Sequence, residues 1–432
     1  MSHARLKRLV LLLITVGLGW LLVASVYNLP YVQDRIGWRI SELRAKIKYA
    51  LSPPEQAVFT PDQTVAAIVQ STLSAFTPTA TPTPSATRTP GPTNTPTITY
   101  TPTITSTPIP ANVHLSGVRH EFQRWNNCGP ANLSMALSYW GWRDTQYDTA
   151  AVLKPNQRDK NVMPYEMAAY VEEQTEFGVV TRVGGELEML KRFIAAGFPM
   201  LIEKGYEGAS FDGWMGHYQV LTGYDDDQEM FTVQDSYRGP DKLISYDNLQ
   251  TYWRHFNYLF LVIYPPGRET EVLTLLGPYV DETYAQQYAA QKASNEIFSS
   301  TGRPQFFAWF NRATNLMLLQ DYGGAAAAYD EAFQVYNDLD PEIRPWRMMW
   351  YQTGPYWAYF YTGRYYDVIN LVTLTLENMS EKVLEESYYW RALAREALGD
   401  IDGAINDLRT SVSVHPDWEP GLIHLERLGA VP

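Results

Sequence analysis

The sequence predicts a multidomain chain: an N-terminal transmembrane helix, a disordered Thr/Pro stalk, a compact α+β domain and an all-α array. Three observations carry this. An 18-residue apolar run opens the chain at Leu9–Val26, a Thr/Pro-rich stretch interrupts it at residues 77–110, and the hydrophobic period turns helical after Pro266 and stays so. With 432 residues and 45% hydrophobic content, each folded part has material for a real core. The net charge is −13, the wrong sign for a general nucleic-acid binder. The balance is uneven, because residues 1–50 alone carry +6.

Residues 1–30 form the predicted anchor. The run LVLLLITVGLGWLLVASV follows Arg5, Lys7 and Arg8 and precedes Tyr27. At helical rise it measures roughly 27 Å, enough to cross a hydrocarbon core through residues 9–27. No small-x-small cleavage site follows, so an uncleaved single-pass anchor is preferred to a removed signal. Residues 31–76 are a juxtamembrane helical segment. Ile36, Ile40, Leu43 and Ile47 recur at helical spacing among basic residues. Two readings fit this pattern: a helix lying along anionic lipid, and a short solvated helix.

The linker, residues 77–110, holds 14 Thr, 9 Pro and a single charge, Arg88. Such a composition cannot bury a core and extends to roughly 105 Å if polyproline-like. It reads as a stalk through envelope material, which places the later domains outside the cytoplasm, on the outer side of the cell membrane.

In residues 111–268, helical runs at Cys128, after Pro164 and at residues 184–196 precede β-type runs FPMLIEK, HYQVLTGYD, MFTVQDS and YLFLVIYPP. Helices first and strands afterwards argue for an antiparallel α+β domain. In residues 269–432, three turn-plus-helix units align on Ala325, Val368 and Ala404. The spacing is near the period of tetratricopeptide repeats, so this part is expected to be a tetratricopeptide-like array, with a peptide or protein partner bound on its helices.

Cys128 is the only cysteine, so no intrachain disulfide exists. It follows the cap-type residues Asn126 and Asn127 and precedes Pro130, which puts the sulfur at a helix N-terminus, where dipole and free N–H groups favour a thiolate. A nucleophilic cysteine also needs an imidazole, and His114, His120, His217 and His255 are the candidates in this domain. His217 heads a strand that turns at Asp225–Asp227 and returns to Asp235. Antiparallel pairing brings His217 and Asp235 together for a Cys-His-Asp relay. Gln123 can give a side-chain N–H to an oxyanion hole completed by the Cys128 backbone N–H. The three acids of the turn read as solvated, and no metal-ligand spacing or cofactor motif is present. Trp125, Trp214 and Tyr218 either line a cleft or pack in the core.

The segments FQRWNNCGPANLSMAL and GHYQVLTGYDDDQEMFTVQDSYRGP resemble the signature blocks of the papain-like cysteine peptidases of the bacteriocin-processing, double-glycine-leader type (peptidase family C thirty-nine), in particular its stand-alone domains. The resemblance implies a papain-like fold, with Cys128 as nucleophile, His217 as base, Asp235 as orienting acid and Gln123 as oxyanion donor. It also implies peptide-bond hydrolysis on a peptide or protein substrate, without a cofactor. Ser236 stands where that family commonly has proline, an exchange expected to change a turn and little else. No ATP-binding loop accompanies the domain, which excludes a leader-removing exporter. Two alternatives keep the same constellation: an inactive binding or scaffold module, and an acyltransferase to an amine acceptor.

Overall fold

The computed structural model describes residues 15, 17–19, 25, 38–62, 109–207 and 213–432. Most of the apolar run at 9–26 and nearly all of the Thr/Pro linker lie outside the described residues. No described helix is long and apolar enough to cross a membrane. What is described is a sheet domain followed by an all-helical region, with one N-terminal segment packed onto the latter.

In the sheet domain seven strands form one sheet: β1 Asn112–His114, β2 Gly178–Arg182, β3 Met200–Glu207, β4 Trp214–Asp225, β5 Met230–Asp235, β6 Gly239–Ser245 and β7 Phe260–Tyr264. Their order is β2-β7-β3-β4-β5-β6, with β1 added to β4, and every pairing is antiparallel. Apolar residues on the two faces feed separate clusters. Leu201, Tyr218, Val220 and Leu261 pack with Leu133, Leu137 and Met167, whereas Ile202, Leu221, Val233 and Phe260 pack with Leu190, Phe193 and Ile194. Helices α2 Cys128–Tyr139, α3 Gln146–Leu153 and α4 Pro164–Gln174 therefore lie by one face and α5 Leu187–Ala195 by the other, while α6 Tyr246–Trp253 links β6 to β7.

The sequence patterns missed five of these elements, β1, β2, β6, α3 and α6. Helix α3 does carry a signal, a capping box in which Thr145 and Asp148 satisfy each other's backbone donors. Strand β6 is an edge strand whose Asp241 and Lys242 face solvent, the composition that edge strands tolerate and propensity scales read as loop. Strand β2, also at an edge, is only half-buried along its length.

Helices α7 Glu269–Leu276, α8 Glu282–Ser299, α9 Arg303–Leu318, α10 Tyr322–Asp338, α11 Met348–Tyr351, α12 Gly354–Tyr361, α13 Tyr365–Asn378, α14 Glu385–Ala397, α15 Ile401–Val414 and α16 Glu419–Arg427 follow. The three aligned units are α10, α13 and α15. Ala325, Val368 and Ala404 are each fully buried where a helix meets its neighbour. Asp321 and Asp400 cap α10 and α15 in the same way, each accepting from the N–H three residues on, at Gly324 and Gly403. In the middle unit this aspartate is replaced by Arg364, whose guanidinium binds Asp367 and Asp330.

The segment at 38–62 corrects the solvated-helix reading of residues 31–50. Helix α1 Trp38–Leu51 is neither fully solvated nor free of protein: Ser41 and Tyr49 are buried against the array. Lys48 Nζ donates to the carbonyls of Glu377 and Met379, both at 2.5 Å, and Phe59 inserts beside Phe333 at 4.9 Å between ring centres.

The sheet domain and the array share a core. Trp214, at the head of β4, stacks on Phe256 at 5.8 Å and meets Phe307 and Tyr351 of the array. Asn257 and Asn315 exchange amide hydrogen bonds at 2.7 and 3.2 Å, and Arg347 donates to the Trp214 carbonyl at 3.0 Å.

Candidate functional site

Cys128 is the first residue of α2 and is half-buried. Before it the chain turns sharply at Asn126, whose φ of 54° is the left-handed conformation that asparagine tolerates best after glycine. Lys154, buried at the end of α3, fixes this turn by donating to the Asn126 carbonyl at 2.9 Å. The sulfur thus sits where first-turn N–H groups have no helical acceptor.

His217 reaches both partners. Its Nε2 is 3.0 Å from Asp235 Oδ1, and the ring is hydrogen-bonded to the Cys128 thiol. Since Nε2 is taken, Nδ1 is the nitrogen left for sulfur. Strand β5 ends at Asp235, so the Tyr218 N–H beyond it bonds the Cys128 sulfur. Asp235 is saturated: its Oδ1 also accepts from the backbone N–H groups of Tyr237 and Arg238, at 2.8 and 3.0 Å, and its Oδ2 from Gln219 Nε2 at 2.6 Å.

A one-residue irregularity makes this possible. Strands β4 and β5 pair regularly from Asp225↔Met230 to Gly223↔Thr232, skip Thr222, then resume at Leu221↔Val233. Residues directly opposite in an antiparallel pair share a face. Continued past the skip, the register sets Asp235 against Gln219, on the face that also bears His217. Without the skip Asp235 would oppose Val220 and point the other way.

Burial opposes a charged His217, but the hydrogen bonds to Asp235 and Cys128 and their charges outweigh it and raise its pKa to about 9. Burial likewise opposes the Cys128 thiolate. The bond to His217, its charge, the Tyr218 N–H and nearby Lys154 reverse that and leave the thiol below its ordinary value. Asp235 is desolvated too, yet its donors hold it well below the usual carboxylate range. The arrangement favours a thiolate-imidazolium pair at neutral pH.

Gln123 is held by Ser236. The backbone N–H of Gln123 donates to the Ser236 carbonyl at 2.8 Å, and Ser236 Oγ is 2.7 Å from Gln123 Oε1. The direction of this bond follows from its neighbours. Asn132 Nδ2 lies 2.8 Å from the Cys128 carbonyl, which can only accept, so Asn132 presents its NH₂ group. The same NH₂ donates to Ser236 Oγ at 2.8 Å. With Asn132 on one lone pair, the Ser236 hydrogen is assigned to Gln123 Oε1, which turns the Gln123 NH₂ group away from Ser236 and leaves it available as a donor. The replacement of proline by Ser236 is therefore more than a change of turn.

The other histidines and aromatics resolve differently. His255 is buried, stacked on Phe307 at 3.7 Å, and accepts from Trp214 Nε1 on Nδ1 at 2.9 Å. Burial and the cations Arg303, Lys204 and Arg254 keep it neutral. His120 contacts the Asp235 carbonyl at 3.0 Å, and His114 lies on β1, paired with Gly223. Trp214 and Tyr218 are core residues. Trp125 is half-buried, with Lys160 Nζ 4.5 Å from its ring centre.

Sequence reasoning missed Gln219, Asn132, Lys154 and Glu203, and read Ser236 only as a change of turn. Gln219 was within reach, two residues along the strand from His217 and hence on its face. Glu203 is a fully buried acid near Cys128, kept protonated by desolvation and the sulfur's charge. Its sequence mark is an acid that directly follows the apolar run FPMLI.

Residues 115–260, about a third of the chain, match the model of the Peptidase_C39 like family. The part of the molecule that carries Cys128, His217 and Asp235 is thus a C39-like peptidase domain. Among solved structures, a candidate C39-like peptidase from Bacillus anthracis aligns with 35% of this chain and 96% of its own, at 18% identity and a TM-score of 0.29. No curated protein matches the chain.

Proposed function

We propose that this protein is a membrane-anchored, extracytoplasmic cysteine peptidase that hydrolyses peptide bonds through Cys128, His217 and Asp235. The observation that carries the reading is His217 bonded at once to the Cys128 thiol and to Asp235. In this reading the Cys128 thiolate attacks the scissile carbonyl. The oxyanion is received by the Cys128 N–H and the Gln123 side-chain amide. Imidazolium Nδ1 protonates the leaving amine, and neutral His217 then takes a proton from the water that opens the thioester. Asp235 keeps Nε2 protonated throughout. The helical array serves to bind a peptide or protein partner, and the apolar run at 9–26 anchors the chain.

The test is the pH dependence of iodoacetamide alkylation in the full chain, read by intact mass, with His217→Ala beside wild type. One thiol makes every mass shift unambiguous. Wild type is expected to alkylate with an apparent pKa well below ~8.5 and the variant near it. Equal profiles near ~8.5 would remove the pair and favour a non-catalytic binding module. The full chain is needed because Trp214 and Phe256 of the peptidase domain are buried against the array.

A further inference from the structure

Helix α1 has two faces, and the array covers one of them. Ser41, Lys48 and Tyr49 point into the array: Ser41 Oγ donates to Glu381 at 3.0 Å, the Ser380 N–H donates to Tyr49 Oη at 3.2 Å, and the Tyr49 ring meets Trp346 at 5.2 Å. The strap that follows continues this docking. Arg344 binds the Glu55 carbonyl at 3.0 Å, Asn337 the Phe59 carbonyl at 3.0 Å, and the Asp62 N–H reaches Asp367 on α13 at 3.0 Å. On the opposite side of α1, Leu43, Ile47 and Leu51 are 57%, 54% and 83% exposed. At 100° per residue these three fall within one stripe, flanked by Arg39 and Lys46 on one side and Arg44 on the other.

We infer that α1 is a mounting plate: one face grips the helical array and the other, Leu43, Ile47 and Leu51 between basic residues, lies in an anionic lipid surface. Two things favour lipid as the occupant. Residues 27–50, on the same side of the apolar run as α1, hold five basic and two acidic groups in an otherwise acidic chain, which complements anionic headgroups. The helix also begins 12 residues beyond the apolar run that ends at Val26, too short a distance to carry it far from the bilayer. This rests on the anchor reading of residues 9–26 and goes beyond it. Both ends of residues 63–108 are attached to the folded body, at Asp62 on the array and at Pro110, whose carbonyl accepts from Tyr224 Oη at 2.6 Å. The Thr/Pro segment then does not set the height of the peptidase domain, which is held at the membrane by the array.

The test uses the full chain in vesicles of phosphatidylcholine with about 30% phosphatidylserine, an anionic fraction supplying the charge α1 needs. A donor dye is placed at Leu398→Cys in a Cys128→Ala background, and an acceptor on a headgroup. Mounting predicts strong energy transfer that drops in Leu43→Asp/Ile47→Asp and in Phe59→Asp/Tyr49→Ala, which release the lipid and the array face respectively. A body on an extended stalk of roughly 105 Å would give transfer near background, and that result overturns the inference. So would strong transfer unchanged in both double variants. If the dependence on Leu43 and Ile47 instead tracked the protein-to-lipid ratio, with transfer between differently labelled chains, a second copy rather than lipid would cover this face. Flotation with the vesicles separates the two readings: a chain that does not float refutes the anchor, and one that floats without transfer refutes the mounting plate.

Discussion

At the residue scale, each catalytic candidate is fixed by a neighbour whose own options have run out. Ser236 is the clearest case. Its hydroxyl takes one hydrogen bond from Asn132 and gives its only hydrogen to Gln123, so the Gln123 amide has one orientation. Ser236→Ala should leave Gln123 free to flip and lower kcat roughly 10-fold with little change in KM, since only transition-state stabilisation is lost. Gln123→Ala should cost about 10²–10³ in kcat, the usual loss for an oxyanion donor. Steady-state kinetics on any cleaved peptide checks both. A Ser236→Ala variant that changed KM alone would mean the serine serves the fold and not the amide. Lys154 acts on the thiol through charge, so Lys154→Met should move the alkylation pKa of Cys128 upward, in the same direction as His217→Ala but by less.

At the scale of elements, the skipped Thr222 in β4 decides which face Asp235 occupies. Deleting Gln234, which lies between the skip and Asp235, should set Asp235 against Val220 and turn it away from His217. The expected readout is an alkylation profile like that of His217→Ala in a chain whose far-ultraviolet circular dichroism is unchanged. Gly216, one residue before His217, marks the joint with the array, since a Cβ there would lie 2.7 Å from Phe256 and 2.9 Å from Tyr351. Gly216→Ala should therefore cost roughly 1–3 kcal/mol in denaturant unfolding, the range for forcing atoms into a packed core. Helix α1 and its strap form a third such element. Phe59, buried beside Phe333 and Tyr359, should lose about 3 kcal/mol of docking when truncated to alanine.

At the scale of the whole molecule, the loop between α3 and α4 meets the array across a buried group of titrating side chains. Asp159 faces Glu385 and His415, with Lys154, Glu166 and Glu386 close by, and His415 Nδ1 is 2.9 Å from Glu385. Desolvation first, and then the charge of Glu385 on Asp159 and of Glu166 on Glu385, raises Asp159 to about 7 and Glu385 to about 8. An acid whose folded pKa is raised gives stability that is full below its unfolded value near 4 and is lost as pH rises through the folded value. The interface should loosen between about pH 5 and 8. Hydrogen exchange of the 154–163 backbone is expected to quicken over that range, and Glu385→Gln should flatten the dependence. His415, kept neutral chiefly by burial, acts with the opposite sign and at lower pH: its stabilisation is present above ~6.5 and lost below it.

The sequence by itself determined the order of parts and the chemistry on offer. Composition marked the apolar run and the Thr/Pro segment, periodicity marked the helical array, and a lone cysteine at a helix start with a histidine-headed hairpin marked the candidate site. These are local signals, written in neighbouring residues and carried by helix periodicity, strand alternation and capping preference. Only the tertiary structure decided the rest. That Asp235 shares a face with His217 depends on one unpaired residue, that Gln123 presents its NH₂ group depends on Asn132 and Ser236, 104 residues apart, and that α1 grips the array depends on backbone groups some 330 positions along the chain. No local pattern encodes such pairings, because hydrogen-bond direction and buried packing are settled only when distant segments compete for the same donors and the same space.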